Sequence, residues 1–381
     1  MNDRPLIMLA AGGTGGHLFP AEALSHALMA SGCRVVLVTD SRAGAFAGDF
    51  PAEAIHAVPS ATPSGRGPLA IISAGWKLLR GVLASRALIR KLKPAVVVGF
   101  GGYPTVPPLM AATMLGVPSL IHEQNGVLGR ANRALSTRVS VIATGFAKVA
   151  GLSEGAKAKC RHVGNPVRPA VIAVADQPMP PLTLTDPVHL LVFGGSQGAR
   201  VMADIVPPAL ASLPSAARAR LHVVQQARDE DGVRVREAYA QLGIAAEIAP
   251  FFKDLPARMA QAHLVIGRSG ASTVAELGVI GRASLLVPLP GALDQDQAAN
   301  ALVLADVGAA IMIVQADFTL ERLAAELSAL LAAPARLTAM AAAAKSAGIP
   351  DAANRLAAVV CEMAGLFPAD AEIARQKQSE P

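Results

Sequence analysis

A chain of 381 residues is long enough for two domains with sizeable cores. Its 52% hydrophobic and 16% charged residues exclude a disordered chain, and three scattered cysteines exclude both a disulfide framework and a C-x-x-C zinc site. The net charge of +6 favours an anionic partner, whereas 3% aromatic residues argue against nucleic acid, whose recognition depends on stacking.

The first predicted element is a parallel strand buried on both faces, Leu6–Ala10. The glycine-rich segment GGTGGH (residues 12–17) follows, and a helix is predicted over Ala21–Ala30. Glycines between a strand and a helix bring bare N–H groups and the positive helix end close to a ligand, which favours an anionic or sugar-diphosphate group. The spacing is neither a dinucleotide fingerprint, because Leu18 stands where a glycine is required, nor a Walker A loop. For this loop alone, a tight turn without a ligand stays open.

A second strand is predicted at Arg34–Thr39, followed by a basic amphipathic helix within Leu69–Lys93. That stretch contains six cations, no acid and the single tryptophan, Trp76. It fits an ordinary crossover helix with a solvated basic face, or a helix that contacts an anionic lipid surface. Because the chain has no run of 18 uninterrupted apolar residues and no leader-like start, we expect neither a transmembrane helix nor a signal peptide.

Two further strands, Ala95–Gly99 and Pro118–His122, each precede a distinctive loop. The glycine pair Gly101–Gly102 follows the first, and the polar run that starts at Glu123 follows the second. Such loops at the carboxyl edge of a sheet are where α/β proteins place ligand groups, although Glu123 could instead cap the next turn.

The opening pattern returns in the second half of the chain. Val139–Ala143 is predicted as the last strand of the first half and Gly164–Pro169 as a hinge. A strand at His189–Phe193, a glycine loop at residues 194–198 and a helix from Ala199 then repeat the first unit. The repetition predicts two similar α/β halves with a cleft between them.

The remaining strands are predicted at Leu221–Gln225, Ala246–Ala249, His263–Gly267 and Ser284–Pro288. After His263–Gly267 the chain enters a helix that Ser272 or Thr273 could cap, leaving its amides for a phosphate. Asp294-Gln295-Asp296 spells D-x-D, which binds a metal–nucleotide complex in another fold, but its place late in the second sheet argues against a metal here. Ala- and Leu-rich helices are predicted from Phe318 onward.

Seven motifs occur in one order: GGTGGH (12–17), GGY (101–103), HEQN (122–125), GNPVR (164–168), GGSQGAR (194–200), RSGASTVAE (268–276) and QAANA (297–301). Together they resemble the MurG family, the glycosyltransferases of bacterial peptidoglycan synthesis. The family moves N-acetylglucosamine from UDP-N-acetylglucosamine to a lipid-diphosphate-linked muramoyl pentapeptide.

The resemblance implies a GT-B fold, in which two Rossmann-like doubly wound α/β domains face each other across a cleft. It places an acceptor- and membrane-facing domain at residues 1–163 and a UDP-sugar domain at 164–349. A terminal helix that crosses back to the first domain, with a tail, occupies 350–381. It also implies no cofactor, and a peripheral position on the cytoplasmic face of the bacterial inner membrane.

The resemblance also implies the roles of particular residues. The donor-binding residues are Thr14, Gly15, Gly16, Asn125, Arg168, Ser196, Phe252, Ala271, Ser272, Thr273, Glu276 and Gln297. The acceptor-binding residues are Gly13, Tyr103 and Asn132. Ser196 and the Arg268–Thr273 turn would hold the diphosphate, Glu276 the ribose hydroxyls, and the Phe252 backbone would lie near uracil. The role of Asp296 stays open.

The implied reaction is an inverting displacement that needs a base and neutralisation of the leaving diphosphate. Helix N-termini and Arg168 could neutralise the charge without a metal. For the base we favour His17, with Glu123 as the competing base or as the residue that orients it. A UDP-N-acetylglucosamine 2-epimerase of the same fold is the alternative function, and the basic stretch Leu69–Lys93 counts against it.

Overall fold

The computed structural model describes residues 4–12, 15–40, 50–60, 68–195, 198–291 and 296–366. The chain divides into two compact units: Met1–Arg168 together with Asp351–Pro381, and Pro169–Pro350.

Parallel strands form a seven-stranded sheet in the first unit, in the order β3-β2-β1-β4-β5-β6-β7. The strands are β1 (Leu6–Ala10), β2 (Arg34–Thr39), β3 (Ala54–Ala57), β4 (Val96–Gly99), β5 (Ser119–Glu123), β6 (Val141–Thr144) and β7 (Cys160–His162). The helices before Pro169 are α1 (Gly15–Ala30), α2 (Pro68–Leu92), α3 (Val106–Met114), α4 (Arg130–Leu135) and α5 (Glu154–Lys157).

The second unit holds a six-stranded parallel sheet in the order β10-β9-β8-β11-β12-β13. Its strands are β8 (Val188–Phe193), β9 (Leu221–Gln226), β10 (Ala245–Ala249), β11 (Leu264–Gly267), β12 (Ala283–Leu286) and β13 (Ala310–Met312). Its helices are α6 (Pro169–Ala175), α7 (Arg200–Ala211), α8 (Ser215–Arg218), α9 (Asp229–Gln241), α10 (Leu255–Gln261), α11 (Ala271–Ile280), α12 (Asp296–Ala305), α13 (Leu320–Leu331) and α14 (Pro334–Ala347).

The last described helix, α15 (Ala352–Met363), belongs to the first unit. Its buried residues Leu356 and Val360 share a core cluster with Leu24 and Leu28 of α1 and with strand residues of the first sheet. Residues more than 300 positions apart in the sequence therefore complete one hydrophobic core.

Continuous apolar runs explain the central strands. All five residues of β1 are buried, as are the last four of β8, because helices cover both faces of a parallel sheet. The buried strands and the basic helix α2 are confirmed, but Val141–Thr144 is not the last strand of its half. The short strand β7 pairs with it at the sheet edge.

No single helix among the described residues is long and apolar enough to cross a membrane. The segments Leu320–Leu331 and Pro334–Met363 meet the length and composition criteria only as a pair, bent by 96°.

Candidate active site

Each sheet reverses its strand order at one point, between β1 and β4 in the first unit and between β8 and β11 in the second. Ligands of doubly wound sheets bind beyond the carboxyl ends of the strands at such switch points. The predicted loops follow those four strands, starting at residues 11, 100, 194 and 268. The structure thus brings two of the predicted loops together at the switch point of each unit.

His17 is the third residue of α1, which begins at Gly15 rather than at the expected Ala21. The imidazole lies against the loop after β4: a Cβ atom at Gly101 would be 3.3 Å from Cε1 of His17, and one at Gly102 would be 3.3 Å from Cδ2. Both glycines have positive φ, 86° and 76°, so a side chain at either position would be strained as well as crowded.

Burial lowers the pKa of the His17 imidazole, and the neighbouring backbone of Phe100 opposes that shift. A lowered pKa keeps the ring uncharged at neutral pH. His17 therefore has the protonation state that a proton acceptor needs.

Glu123, the last residue of β5, is 1% exposed and surrounded by donors. Oε1 accepts from the backbone N of Asn125 at 3.0 Å and from its side chain at 3.2 Å. Oε2 accepts from the Gly129 N at 2.9 Å and from Nδ2 of Asn132 at 2.8 Å. Burial raises the pKa of the carboxyl group, and these hydrogen bonds oppose the shift. The carboxylate is thus engaged in holding the segment between β5 and α4.

Asn132 stands between the two candidate bases. Besides donating to Glu123, its Nδ2 lies 3.3 Å from the His122 carbonyl oxygen. The same nitrogen would be 3.6 Å from a Cβ at Gly101, the residue against which His17 packs. Through Asn132, Glu123 is therefore placed to orient the loop against which His17 packs.

Three further polar side chains fasten the strand ends of the first unit. His122 Nε2 donates to the Gly164 carbonyl at 3.0 Å, Gln124 Nε2 donates to that of Phe100 at 2.9 Å, and Asn165 Nδ2 donates to that of Gln124 at 2.9 Å. The sequence singled out these residues only as letters of motifs. Residues 164–167, predicted as part of a hinge, are buried; Gly164 is bonded to His122 of β5 and Asn165 to the loop after that strand.

The other predicted residues of the first unit occupy the same edge. Gly15 and Gly16 form the first turn of α1, Tyr103 begins a short 3-10 turn after β4, and the guanidinium of Arg168 lies 4.6 Å from the centre of the Phe19 ring. Gly13 and Thr14 lie outside the described residues.

In the second unit, α11 begins at Ala271 without a side-chain cap. Gly270 is the N-cap residue, so the prediction that Ser272 or Thr273 caps the helix is wrong; they are its second and third residues. The first turn carries no acid. Its amides point out of the helix at the positive end of the helix dipole, and the lack of an acid in that turn suits an anion.

The start of α12 has the opposite character. Asp296 Oδ1 accepts from the Gln297 N at 2.9 Å, which gives this aspartate a helix-capping contact at the position whose role stayed open. A carboxylate there disfavours a bound anion. Asp294 and Gln295 of the D-x-D motif lie outside the described residues.

A chain of hydrogen bonds joins the loops around α11 and α12. Ser269 Oγ donates to the Gln297 carbonyl at 2.7 Å, Gln297 Oε1 accepts from the Leu289 N at 3.0 Å, and Asn300 Nδ2 donates to the Ser269 carbonyl at 3.2 Å. The sequence predicted Gln297, whereas Ser269 and Asn300 appeared only as letters of the RSGASTVAE and QAANA motifs. Both are fully buried, and no pattern in the sequence indicates that burial.

Arg268 and Glu276 are both buried; Arg268 precedes α11 and Glu276 lies within that helix. The Arg268 guanidinium donates to the Val287 and Pro288 carbonyls, both at 3.0 Å, and burial lowers its pKa. Its side chain therefore supports the loop after β12, which leaves the helix amides of the turn as the candidate anion contact.

Phe252 follows β10, with its ring buried beneath the Arg258 guanidinium at 4.4 Å. The glycine loop after β8 turns so sharply that a Cβ at Gly194 would lie 2.2 Å from the Ala199 N. Ser196 lies outside the described residues.

Residues 7–144 match the glycosyltransferase family 28 N-terminal domain, and residues 189–356 match its C-terminal domain. A Methylobacterium nodulans protein named UDP-N-acetylglucosamine–N-acetylmuramyl-(pentapeptide) pyrophosphoryl-undecaprenol N-acetylglucosamine transferase is 64% identical, over 95% of this chain and 97% of its own.

Solved structures share the architecture. Acinetobacter baumannii MurG aligns with a TM-score of 0.77 and 30% identity over 94% of this chain and 99% of its own. A UDP-N-acetylglucosamine 2-epimerase aligns with a TM-score of 0.64 over 95% of this chain and 97% of its own, but at 12% identity it shows the fold alone. The two parallel-sheet units and these neighbours confirm the GT-B fold.

Proposed function

This chain belongs to glycosyltransferase family 28 and, within it, to the MurG family of N-acetylglucosamine transferases, and from that membership we propose how its residues carry the reaction. The enzyme is a hexosyltransferase that moves N-acetylglucosamine from its UDP conjugate to muramoyl-pentapeptide pyrophosphoryl-undecaprenol. The observation that supports this function is the 64% identity, over 95% of this chain, to the Methylobacterium nodulans N-acetylglucosamine transferase.

The second unit is our candidate for donor binding. The uncapped start of α11, with Ala271, Ser272 and Thr273, would hold the diphosphate together with Ser196 of the loop after β8. The Glu276 carboxylate would accept from the ribose hydroxyls and the Phe252 backbone would lie near uracil. Gln297, held by the Leu289 N, would contact the sugar.

The first unit is our candidate for the acceptor and for the remaining donor contacts. Gly13, Tyr103 and Asn132 would contact the acceptor, while Thr14, Gly15, Gly16, Asn125 and Arg168 would complete the donor site. In support, Gly15 and Gly16 form a helix N-terminus without an acid in its first turn.

The chemistry is an inverting displacement in which His17 is the proposed base. The 4-hydroxyl oxygen of muramic acid attacks the anomeric carbon, its proton passes to the His17 imidazole, and the bond from that carbon to the diphosphate breaks. UDP leaves with the electron pair, and helix amides with Arg168 stabilise its charge. Glu123 supports this assignment as an orienting residue, because all four of its contacts hold the neighbouring segment.

Helix α2 is the proposed membrane contact, which would place the enzyme on the cytoplasmic face of the inner membrane. Trp76, Leu79 and Leu83 are 62%, 47% and 54% exposed and lie on one helical face by their spacing. The exposed cations Lys77 and Arg80 flank them. Apolar side chains bordered by cations suit an anionic bilayer surface.

The test is incubation of the purified protein with labelled UDP-N-acetylglucosamine, with and without a short-chain analogue of the lipid acceptor. We expect UDP release only with acceptor, and a β-linked disaccharide product. Acceptor-independent UDP release or epimerisation at C2 would contradict the transferase and favour the epimerase.

A further inference from the structure

Gln226, the last residue of β9, links two loops that the sequence treats as separate. The side chain is 5% exposed and both ends of its amide are used. Oε1 accepts from the Gly194 N at 3.0 Å, and Nε2 donates to the Pro250 carbonyl at 3.0 Å. One amide thus joins the glycine loop after β8 to the loop after β10.

The sheet topology makes this link possible. β9 lies between β8 and β10, and its residue Gln225 pairs with Val192 on one side and Ile248 on the other. Gln226 therefore reaches the carboxyl edge with one loop on each side.

Each contacted backbone group precedes a proposed donor contact. Gly194 opens the loop that contains Ser196, and its amide donates to Gln226 Oε1. Pro250 stands two residues before Phe252, whose ring is fixed under Arg258. One glutamine side chain thus links the backbone that leads into both proposed contacts.

We propose that Gln226 is a positioning residue for the UDP donor. It ties the backbone at the start of both loops to one buried side chain before the donor binds, without contacting the reacting atoms. The inference rests on the proposed function, because it takes these loops as the donor site.

The test uses Gln226→Met, which keeps the volume and removes both hydrogen bonds. The matched control is Gln225→Met: Gln225 is the adjacent buried amide and accepts from the Tyr239 hydroxyl instead. For Gln226→Met we expect the Kd for UDP and the KM for the donor to rise about tenfold. The kcat and the acceptor KM should stay within about twofold. Gln225→Met should lower the Tm without changing the Kd for UDP.

Two outcomes separate this inference from the proposed function. Unchanged UDP affinity in Gln226→Met, with normal binding by the wild type, would overturn the positioning role alone. Failure of the wild type to bind UDP would overturn the proposed donor site and this role together.

A measurement on the wild type covers the case in which Gln226→Met does not fold. Hydrogen exchange of the Gly194 amide should be slow in the ligand-free protein, because Gln226 is its acceptor. Exchange as fast as in an unprotected loop amide would overturn the proposal.

Discussion

The half-buried His17 and the buried Glu123, both at the carboxyl edge of the first sheet, differ in the hydrogen bonds that their polar atoms make. Glu123 accepts four hydrogen bonds, whereas His17 packs on glycine backbone with its pKa lowered by burial. A carboxylate whose acceptor sites are filled by the protein is a poor recipient for a substrate proton. The difference supports the separate roles that we propose for the two residues.

We therefore expect His17→Ala to lower kcat by about 10²- to 10⁴-fold, the usual contribution of a general base, with little change in the Kd for UDP. Because burial lowers the pKa of His17, the acid limb of the wild-type kcat/KM profile should lie below pH 6.5. Steady-state kinetics across pH 5 to 9 would measure both.

Glu123→Gln is the companion variant, and it should lose thermal stability together with activity. An amide nitrogen there would face groups that now donate to a carboxylate. Near-normal turnover in His17→Ala, with a folded but inactive Glu123→Gln, would reverse the assignment.

His122 makes the stability of the first unit depend on pH. Burial lowers the pKa of this fully enclosed imidazole from 6.5 to about 4. Its stabilising contribution is complete above pH 6.5 and is lost as the pH falls from 6.5 towards 4, because the unfolded chain then binds the proton more readily. The full change corresponds to about 3 kcal/mol in the free energy of unfolding.

His122→Gln should flatten this dependence, since glutamine can still donate to the Gly164 carbonyl but does not titrate. Denaturant unfolding at pH 7, 5.5 and 4 would show it, with the exposed His162→Gln as the control. The prediction would be contradicted if the free energy of unfolding depended equally on pH in the wild type and in His122→Gln.

At the scale of elements, we expect substitutions on the exposed face of α2 to weaken membrane binding without changing catalysis. Replacing Trp76, Leu79 and Leu83 together by alanine should weaken binding to phosphatidylglycerol vesicles by roughly tenfold per side chain. Turnover of a water-soluble acceptor should stay unchanged. Cosedimentation with vesicles measures the first quantity.

Val233→Ala is the control for that experiment, because Val233 is 60% exposed on α9 of the second unit. It should leave vesicle binding unchanged. Equal vesicle binding by wild type and the triple variant would favour the ordinary crossover helix.

The sequence predicted the long buried strands to within one or two residues, because glycine loops bound their apolar runs. It missed β3, β7 and β13, which have three or four residues each and lie at sheet edges, where burial leaves a weaker pattern. The start of α1 was missed because Gly15 and Gly16 are poor helix formers, although the first turn of a helix tolerates them.

For the candidate site, the sequence predicted the loops but not what holds them. Polar residues after buried strands indicate a sheet edge from local pattern alone. The partners of Gln226 and Asn300 lie 24 to 32 residues away along the chain, and only strand order brings them together. Such contacts leave no periodic signal in the sequence.

For the molecule as a whole, the place of α15 predicts which unit a C-terminal substitution weakens. Leu356 is fully buried in the core of the first unit, so Leu356→Ala should lower the free energy of unfolding of that unit by about 2–5 kcal/mol. Hydrogen exchange should show faster opening of β1 amides, with β8 amides unchanged.

Leu327→Ala is the matched variant, because Leu327 is 1% exposed in the core of the second unit. It should produce the reverse pattern, with β8 opening faster. Faster exchange of β8 but not β1 in Leu356→Ala would contradict the assignment of α15.

The order of the two units along the chain also determines when each can complete its hydrophobic core during synthesis. The first unit lacks the Leu356 and Val360 side chains until the last helix is made, whereas the second unit is one continuous segment of roughly 180 residues. At 5–20 residues per second, that segment takes about ten to forty seconds to synthesise. During that time the nascent first sheet exposes the apolar surface that α15 will cover. The half made first therefore finishes folding last, and we expect it to be the half that chaperones bind during synthesis.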